Sequence, residues 1–272
     1  MDCVGKPYQL NAWTGEVTEL GAYGIADDRT VVDVTLAPGE ATLLAFDTSE
    51  GVADALHAVE ADAEAVIEDG AVALKIYATG DYAAKLSDGT SIAGTAEVQD
   101  DIPLTDWDLT IETWTAGELV TRTEEKPEYN HTTTEYKYET TREEITFEGL
   151  TELAPWADMG VALSGVGTYT THFELPADWD ETNGAVLRLG SIYRNGAVVY
   201  LNGTRLALPL ESLALDVTDA LLPGEVNELV VEVQTNLQNS VKGEMLSQMG
   251  ALQKYGLVGE NMIDIYRTVA VD

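Results

Sequence analysis

The sequence predicts an all-β protein made of two β-sandwich domains. Three observations support this prediction. Short apolar runs alternate with polar residues, Asn-Gly, Asp-Gly and Pro-Gly pairs divide the chain at close intervals, and helical periodicity is confined to short pieces such as residues 241–254. Many short strands with frequent turns are typical of sandwiches. A length of 272 residues accommodates two domains of medium size.

Alternation is clearest between residues 168 and 175. There Tyr169, Thr171, Phe173 and Leu175 fall on one face of a predicted strand. Residues 227–235 (NELVVEVQT) are rich in Val and bounded by turn residues, so they predict a second strand of this kind.

The strongest local prediction is a hairpin at Asn202-Gly203. Two apolar runs meet at this pair, and Asn-Gly best tolerates the positive φ angles of a type I′ turn. Pro38-Gly39 and Pro223-Gly224 predict further turns between strands. Residues 121–143 are rich in Thr, Glu and Tyr and nearly lack aliphatic side chains, which predicts an exposed excursion from the second domain.

The segment 99–103 (QDDIP) is the best candidate linker, because it is polar, acidic and closed by a proline. Strand-like residues 72–77 precede it, and 107–114 (WDLTIETW) follow it. We therefore predict domains at 1–102 and 103–272.

The formal net charge of −34 excludes several kinds of partner. Phosphate backbones and anionic membrane surfaces repel such a surface, so neither nucleic acid nor a membrane is expected as a partner. An acidic surface that keeps the protein soluble is sufficient to explain this charge. Carboxylates could also hold a structural Ca²⁺, but no Asp-x-Asp-x-Asp-Gly loop indicates such a site, so no cofactor is predicted.

Cysteine and histidine usage gives no metal site. Cys3 is the single cysteine, which excludes an internal disulfide, and His57, His131 and His172 lack the spacing of metal ligands. No run approaches the roughly 20 apolar residues of a membrane helix, and no secretory signal is visible at the N-terminus. A soluble protein of unassigned location is therefore expected.

No residue is nominated as catalytic. The nucleophile elbow, the P-loop and the dinucleotide fingerprint are all missing from the sequence. Glycoside hydrolysis needs two carboxylates about 5–10 Å apart, and 48 acidic residues would supply many such pairs by chance.

Four residues are candidates for carbohydrate binding: Tyr193, Arg194, Asn236 and Asn239. Together they offer an aromatic ring, the several N–H donors of a guanidinium group and two amides at predicted strand connections. Turn formation and strand capping explain the same residues, so both interpretations stay open. The tryptophans at 107, 114, 156 and 179 are expected mainly to pack, with at most one of the first two in the sheet core.

Several segments resemble the accessory β-domains of large bacterial glycoside hydrolases of the α-L-rhamnosidase family 106 kind. From residue 107 to 267 the chain looks like a galactose-binding-like jelly roll, and residues 7–17 resemble the start of the β-domain that follows the catalytic barrel. The segments that carry the resemblance in the second domain are 107–114 (WDLTIETW), 150–156 (LTELAPW), 164–169 (SGVGTY), 198–203 (VVYLNG), 216–218 (DVT) with Pro223-Gly224, and 255–259 (YGLVG).

This resemblance implies a non-catalytic, carbohydrate-binding part of a glycoside hydrolase. The family's catalytic carboxylates lie in the barrel, and no position here inherits them. The expected partner is a carbohydrate or a catalytic domain. Two alternatives remain: a free-standing carbohydrate-binding protein, and a hydrolase with an unrecognised carboxylate pair.

Overall fold

A computed structural model describes residues 3–36, 41–51, 55–68, 70–126, 128, 131–193, 195–210, 212–240 and 251–271. Strands dominate these residues, and the predicted all-β sandwich class is confirmed. Two short 3-10 helices lie at Trp156–Met159 and Thr218–Ala220.

The strands of the N-terminal half are β1 Lys6–Leu10, β2 Val17–Glu19, β3 Gly24–Ala26, β4 Arg29–Val31, β5 Leu43–Asp47, β6 Ala58–Ala61, β7 Glu64–Glu68, β8 Ala71–Ile76, β9 Gly80–Leu86, β10 Ser91–Ala96 and β11 Ile102–Pro103. Those of the C-terminal half are β12 Trp107–Lys126, β13 His131–Leu150, β14 Ser164–Glu174, β15 Asn183–Arg188, β16 Gly196–Leu201, β17 Thr204–Leu206, β18 Ala214–Asp216, β19 Val226–Gln234 and β20 Met262–Ala270.

Two six-stranded sheets form most of the fold. One has the order β13-β12-β14-β19-β16-β17, and the other has the order β18-β15-β20-β8-β7 with β11 also paired to β20. Smaller sheets of order β2-β1-β5, β10-β9-β6 and β3-β4 lie in the N-terminal half.

The larger hydrophobic core fills the C-terminal sandwich. Strands of both six-stranded sheets contribute fully buried side chains to one cluster, so the alternating residues of the sequence do form the inner faces. The alternation predicted for β14 is confirmed, since Tyr169 and Thr171 are fully buried and Phe173 nearly so. Other members of this core are Leu109, Ile111, Leu187, Val231, Ile263 and Ile265.

A smaller core lies in the N-terminal half, and its members are modest in size. Leu74, Ile76 and Leu86 are its larger side chains, and several alanines fill the rest. Val271, from the far end of the chain, is also buried in it. The C-terminal end of the chain therefore completes the N-terminal core.

The second six-stranded sheet contains strands from both sides of the predicted linker. Strand β20 pairs with β15 on one edge and with β8 on the other, with Val269 opposite Leu74. Ile102 of the linker pairs with Ile263 of the same strand. The backbone is thus hydrogen-bonded continuously from one half to the other, and the domain boundary at 102/103 stays a prediction.

The hairpin at Asn202-Gly203 has the geometry that the sequence predicts. Asn202 and Gly203 have φ angles of 52° and 77°, and Leu201 pairs with Thr204 across the turn. The Asn202 side chain also donates to the backbone oxygen of Ala220 and to the side chain of Asn227, at 2.8 Å each. The turn is therefore tied to the loop beside it.

Strands β12 and β13 extend well beyond the sandwich. Strand β12 pairs with β14 only as far as Trp114 opposite Ser164, and from there it pairs with β13 alone as far as Lys126 opposite His131. At about 3.3 Å per residue, this two-stranded part spans roughly 40 Å. The predicted excursion at 121–143 is therefore the distal part of a long hairpin, with residues 121–125 exposed.

Some predictions fall on residues that the structure does not describe. These include Pro38-Gly39, most of the helix predicted at 241–254, and Arg194. Residues 251–254 are described and are not helical. Within the described part of the chain, no helix is both long and apolar enough to cross a membrane.

Candidate functional site

Tyr193 lies in the connection between β15 and β16. Its backbone has a positive φ of 50°, and its N–H donates to the Ser191 hydroxyl at 3.3 Å. The Lys254 ammonium lies 5.6 Å from the centre of the tyrosine ring. This ring is half-buried and keeps part of its surface accessible.

Asn236 and Asn239 lie in the connection after β19, and their amides are already engaged. The Asn239 side chain is buried, donates to the Gln253 carbonyl at 2.9 Å and accepts from the Gln253 N–H at 2.8 Å. The Asn236 side-chain oxygen accepts from the Gln238 N–H and from the Tyr255 hydroxyl. These bonds hold Gln253 and Tyr255 close to the end of β19. Sugar binding by either amide stays a prediction.

Beside Tyr193 lies a depression that the sequence did not indicate, which we call the Trp13 cleft. It consists of three cavities of about 450, 360 and 470 Å³ that share the side chain of Trp13. Trp13 is 48% exposed and sits between β1 and β2. The facing wall is formed by residues of the C-terminal half, among them Arg205, Leu210 and Leu213, so both halves of the chain form the cleft.

Local hydrogen bonds fix the loop that carries Trp13. The Asn11 side-chain oxygen accepts from the N–H groups of Trp13 at 2.9 Å and Thr14 at 3.2 Å. The Asn11 backbone bonds with Gly15 and Glu16, and Gly15 has a φ of 77°. Asn and Gly tolerate such turns well, so the sequence Asn-Ala-Trp-Thr-Gly presents the indole on a closed loop.

The first cavity brings polar side chains of the N-terminal half next to Trp13. Gln9, Thr18, Thr42 and Glu16 line it, together with Ser212 from the other half. Gln9 donates to the Thr42 hydroxyl at 3.1 Å, which fixes the amide across β1 and β5. An amide and hydroxyls held in this way are suited to hydrogen bonding with a polyol.

The second and third cavities have walls of different character. The second is lined by the apolar side chains of Val198, Leu206 and Leu208 and by the cation Arg205. The third mixes apolar and polar groups, and its lining residues include Ser191, Ile192, Tyr193, Asn195 and Leu213. Tyr193, nominated from the sequence, therefore lines the Trp13 cleft, whereas Asn236 and Asn239 do not.

A separate cavity of about 670 Å³ lies at another place on the C-terminal half. Glu152 and Glu260 both line it, close to the buried Trp107 and Asn261. The Asn261 amide is occupied, because it accepts from the Gly190 N–H and donates to the Gly259 carbonyl. Glycoside hydrolysis needs two carboxylates about 5–10 Å apart across a sugar, so Glu152 and Glu260 are the pair to test for it.

An ion pair joins the two halves at residues that do not line the cleft. The Lys75 ammonium contacts the Asp216 carboxylate at 2.8 Å, and the hydroxyls of Tyr266 and Thr218 donate to that carboxylate at 2.7 Å each. Burial alone would raise the pKa of Asp216, but the hydrogen bonds from Lys75 and Thr218 outweigh it and lower the pKa. Burial would lower the pKa of Lys75, and Asp216 reverses that and raises it. This cluster has the features of a structural ion pair.

No metal centre can be assigned within the described ranges. There, no group of three or more His, Cys, Asp or Glu side chains is arranged to hold an ion. The calcium hypothesis and the expectation of no cofactor both stay predictions.

Trp13 is the residue that sequence reasoning missed. It lies within the 7–17 segment that resembles an accessory domain, but nothing in that segment shows what faces it. The local signal was the Asn11-to-Gly15 turn, which commonly exposes the side chain at its tip. The facing wall is separated from this turn by about 190 residues of sequence, so no local pattern reveals the cleft.

Comparison with solved structures gives a likeness over nearly the whole chain. No protein-family model matches the chain, and no curated protein matches it either. A solved structure, the rhamnosidase from Novosphingobium sp. PP1Y, matches 97% of this chain with a TM-score of 0.54 and 15% sequence identity. The chain spans 21% of that rhamnosidase. At this identity the likeness shows the fold: the β-architecture here resembles part of a glycoside hydrolase chain.

Proposed function

We propose that this chain is a non-catalytic, carbohydrate-binding unit of a glycoside hydrolase and that it binds sugar in the Trp13 cleft. The observation that carries the proposal is Trp13 itself. Its ring is half-exposed on a loop closed by Asn11, and cavities adjoin it on several sides. Large aromatic side chains usually supply core area, so an indole held rigidly in an open cleft is a natural platform for the apolar face of a sugar ring.

Polar groups around the indole supply the second requirement of a sugar site. Gln9, Thr42 and Tyr193 offer an amide and two hydroxyls at the edges of the cavities. Each hydrogen bond replaces one to water, so its net contribution is about 0.5–1.5 kcal/mol. A single sugar is therefore expected to bind with a dissociation constant near millimolar, or roughly −4 kcal/mol.

The fold supports the glycoside hydrolase context of the proposal. The similar segment belongs to a rhamnosidase chain about five times longer than the match, so an equivalent unit occurs there inside a larger enzyme. Rhamnose and galactose, with their short oligomers, are accordingly the first ligands to test. A free-standing carbohydrate-binding protein would use the same cleft, and the sugar test applies to it equally.

The test is a calorimetric titration of the chain with these sugars, comparing the parent with Trp13→Ala. We expect weak, saturable binding that Trp13→Ala reduces at least tenfold. Leu237→Ala is the matched control, because Leu237 is similarly exposed at 51% and does not line the cleft. Binding that survives Trp13→Ala unchanged contradicts the assignment of the site.

A second candidate function is packing against a catalytic domain. Val17 and Leu43 are 62% and 55% exposed, and both pair with Leu10 across the β2-β1-β5 sheet, which gives an apolar row on the surface. If a catalytic barrel is encoded with this chain, the separately expressed barrel should bind it. Val17→Asp should then weaken the complex, and sugar binding should stay unchanged because Val17 does not line the Trp13 cleft.

A further inference from the structure

We infer that the Trp13 cleft binds an oligosaccharide of at least three linked sugars that crosses the seam between the two halves of the chain. This inference rests on the proposed function and names its ligand class. Three features support it: the number of cavities around one indole, their distribution over the two halves, and the placement of their polar groups.

The number of cavities argues against a single sugar as the full ligand. Trp13 is shared by all three, and each has a volume between 360 and 470 Å³. A volume of that size lies within the usual range for a small-molecule pocket, about 300–1,000 Å³. One monosaccharide beside the indole would therefore leave two cavities filled with water.

The residues that line the cavities indicate the direction of a longer ligand. Gln9, Thr18 and Thr42 of the N-terminal half line the first cavity, together with Pro209 and Ser212 of the C-terminal half. Apart from Trp13, the residues that line the second and third belong to the C-terminal half, including Arg205 and Tyr193. A ligand that reaches from the first cavity to either of the others must pass Trp13 and contact both halves.

Polar side chains line all three cavities. Gln9 and Thr42 lie at the first cavity, Arg205 at the second, and Ser191 with Tyr193 at the third. A ligand that occupies more than one cavity therefore gains hydrogen bonds that a single sugar in one cavity does not reach. Each linked sugar pays little additional translational cost once the first is bound, which favours a chain over separate monosaccharides.

The experiment compares ligand length by calorimetry, using L-rhamnose against rhamnotriose and D-galactose against galactotriose. For one of the two sugar types, we expect the trimer to bind at least about tenfold more tightly than its monosaccharide. Thr42→Ala, Arg205→Ala and Tyr193→Ala each perturb one cavity, and Leu237→Ala serves as the control. Far-UV circular dichroism and the melting temperature verify that each variant is folded.

The outcomes separate this inference from the proposed function. The inference predicts that variants on both halves weaken trimer binding severalfold, while monosaccharide binding responds to only one of them. Equal affinity for monosaccharide and trimer, both lost in Trp13→Ala, would overturn the inference and leave the proposed function standing. Trimer binding that depends on residues of one half alone would also overturn it. No binding of any of the four sugars at high millimolar concentration would overturn both.

Discussion

At the scale of single residues, the surroundings of each tryptophan show whether its side chain packs in the core or is accessible to a ligand. Trp107 and Trp156 are buried, and their indole N–H groups donate to the Leu104 carbonyl at 3.0 Å and to the Tyr169 hydroxyl at 2.7 Å. A buried indole needs such a partner. Trp13 instead keeps about half of its surface open on a short loop. It is therefore the tryptophan best placed to meet a ligand.

Asp216 gives a prediction on pH dependence. Its pKa is lowered in the folded state from the ordinary value of 3.8, so the stability it contributes is present above that value and is lost as pH falls through the folded pKa. Asp216→Asn should lower the free energy of unfolding at pH 7 by about 1 kcal/mol, a figure reduced because the side chain is 41% exposed. Urea unfolding at several pH values measures it.

The difference between parent and Asp216→Asn should shrink below pH 4, because the unfolded parent then takes up a proton at Asp216, and the charge-dependent part should be lost once pH falls below the lowered pKa of the folded state. Asp158→Asn is the control, because Asp158 is an exposed acid in the first turn of a 3-10 helix. This substitution should leave the free energy of unfolding nearly unchanged at all pH values. A difference that stays constant down to pH 2 would show that the charge of Asp216 contributes nothing to the free energy of unfolding.

Glu152 and Glu260 allow the hydrolytic alternative to be tested. They face one cavity, but they belong to a molecule whose proposed role is binding. We expect no turnover of aryl rhamnosides or aryl galactosides by the purified chain, and no change in that result for Glu152→Gln or Glu260→Gln. Release of the aryl group that either substitution abolishes would instead make this chain an enzyme.

At the scale of elements, local turn chemistry was predictable and distant pairing was not. Asn202-Gly203 forms the expected hairpin because both residues tolerate positive φ, a property that sequence alone reveals. The pairing of β20 with β8 joins residues almost 200 positions apart, and their composition identifies them as strands without naming their partners. The same limit hid the Trp13 cleft. Tyr193, which lines this cleft, was nominated from its place at a predicted strand connection, and sugar binding by it stays a prediction.

Gly203 provides a direct test of the turn. A Cβ added there meets nothing within 4 Å, so the cost of Gly203→Ala comes from its φ of 77° alone. A left-handed backbone costs an L-residue about 1–2 kcal/mol, and thermal or urea unfolding should show a loss of that size. Gly196→Ala is the control, because Gly196 lies in β16 with no contact closer than 3.8 Å and no positive φ. Equal losses in the two variants would contradict the turn assignment.

At the scale of the whole molecule, a shared sheet and the Lys75–Asp216 ion pair join the two halves. Strand β20 hydrogen-bonds to both halves, Val271 fills the N-terminal core, and Lys75 contacts Asp216 across the seam. The Trp13 cleft lies along the same junction, so its geometry depends on the halves keeping a fixed relation. The proposed binding site and the junction are therefore parts of one structural unit.

This continuity predicts a single cooperative unfolding transition for the chain. Calorimetry should give one peak, and Val271→Ala, which opens a gap in the N-terminal core, should shift the entire peak to lower temperature. Val226→Ala is the control, because Val226 is 53% exposed at the start of β19. Two separate peaks, with only one moved by Val271→Ala, would show that the halves unfold as independent domains.

The most direct test of the central claim is to observe the Trp13 indole N–H by ¹⁵N–¹H NMR during a titration with rhamnotriose or galactotriose. Trp13→Ala assigns its resonance, and the buried indoles of Trp107 and Trp156 serve as internal controls. With one of these sugars, the account predicts a saturable shift of the Trp13 signal while both buried indoles stay in place. A Trp13 resonance that does not move with either sugar at high millimolar concentration would contradict carbohydrate binding in the Trp13 cleft.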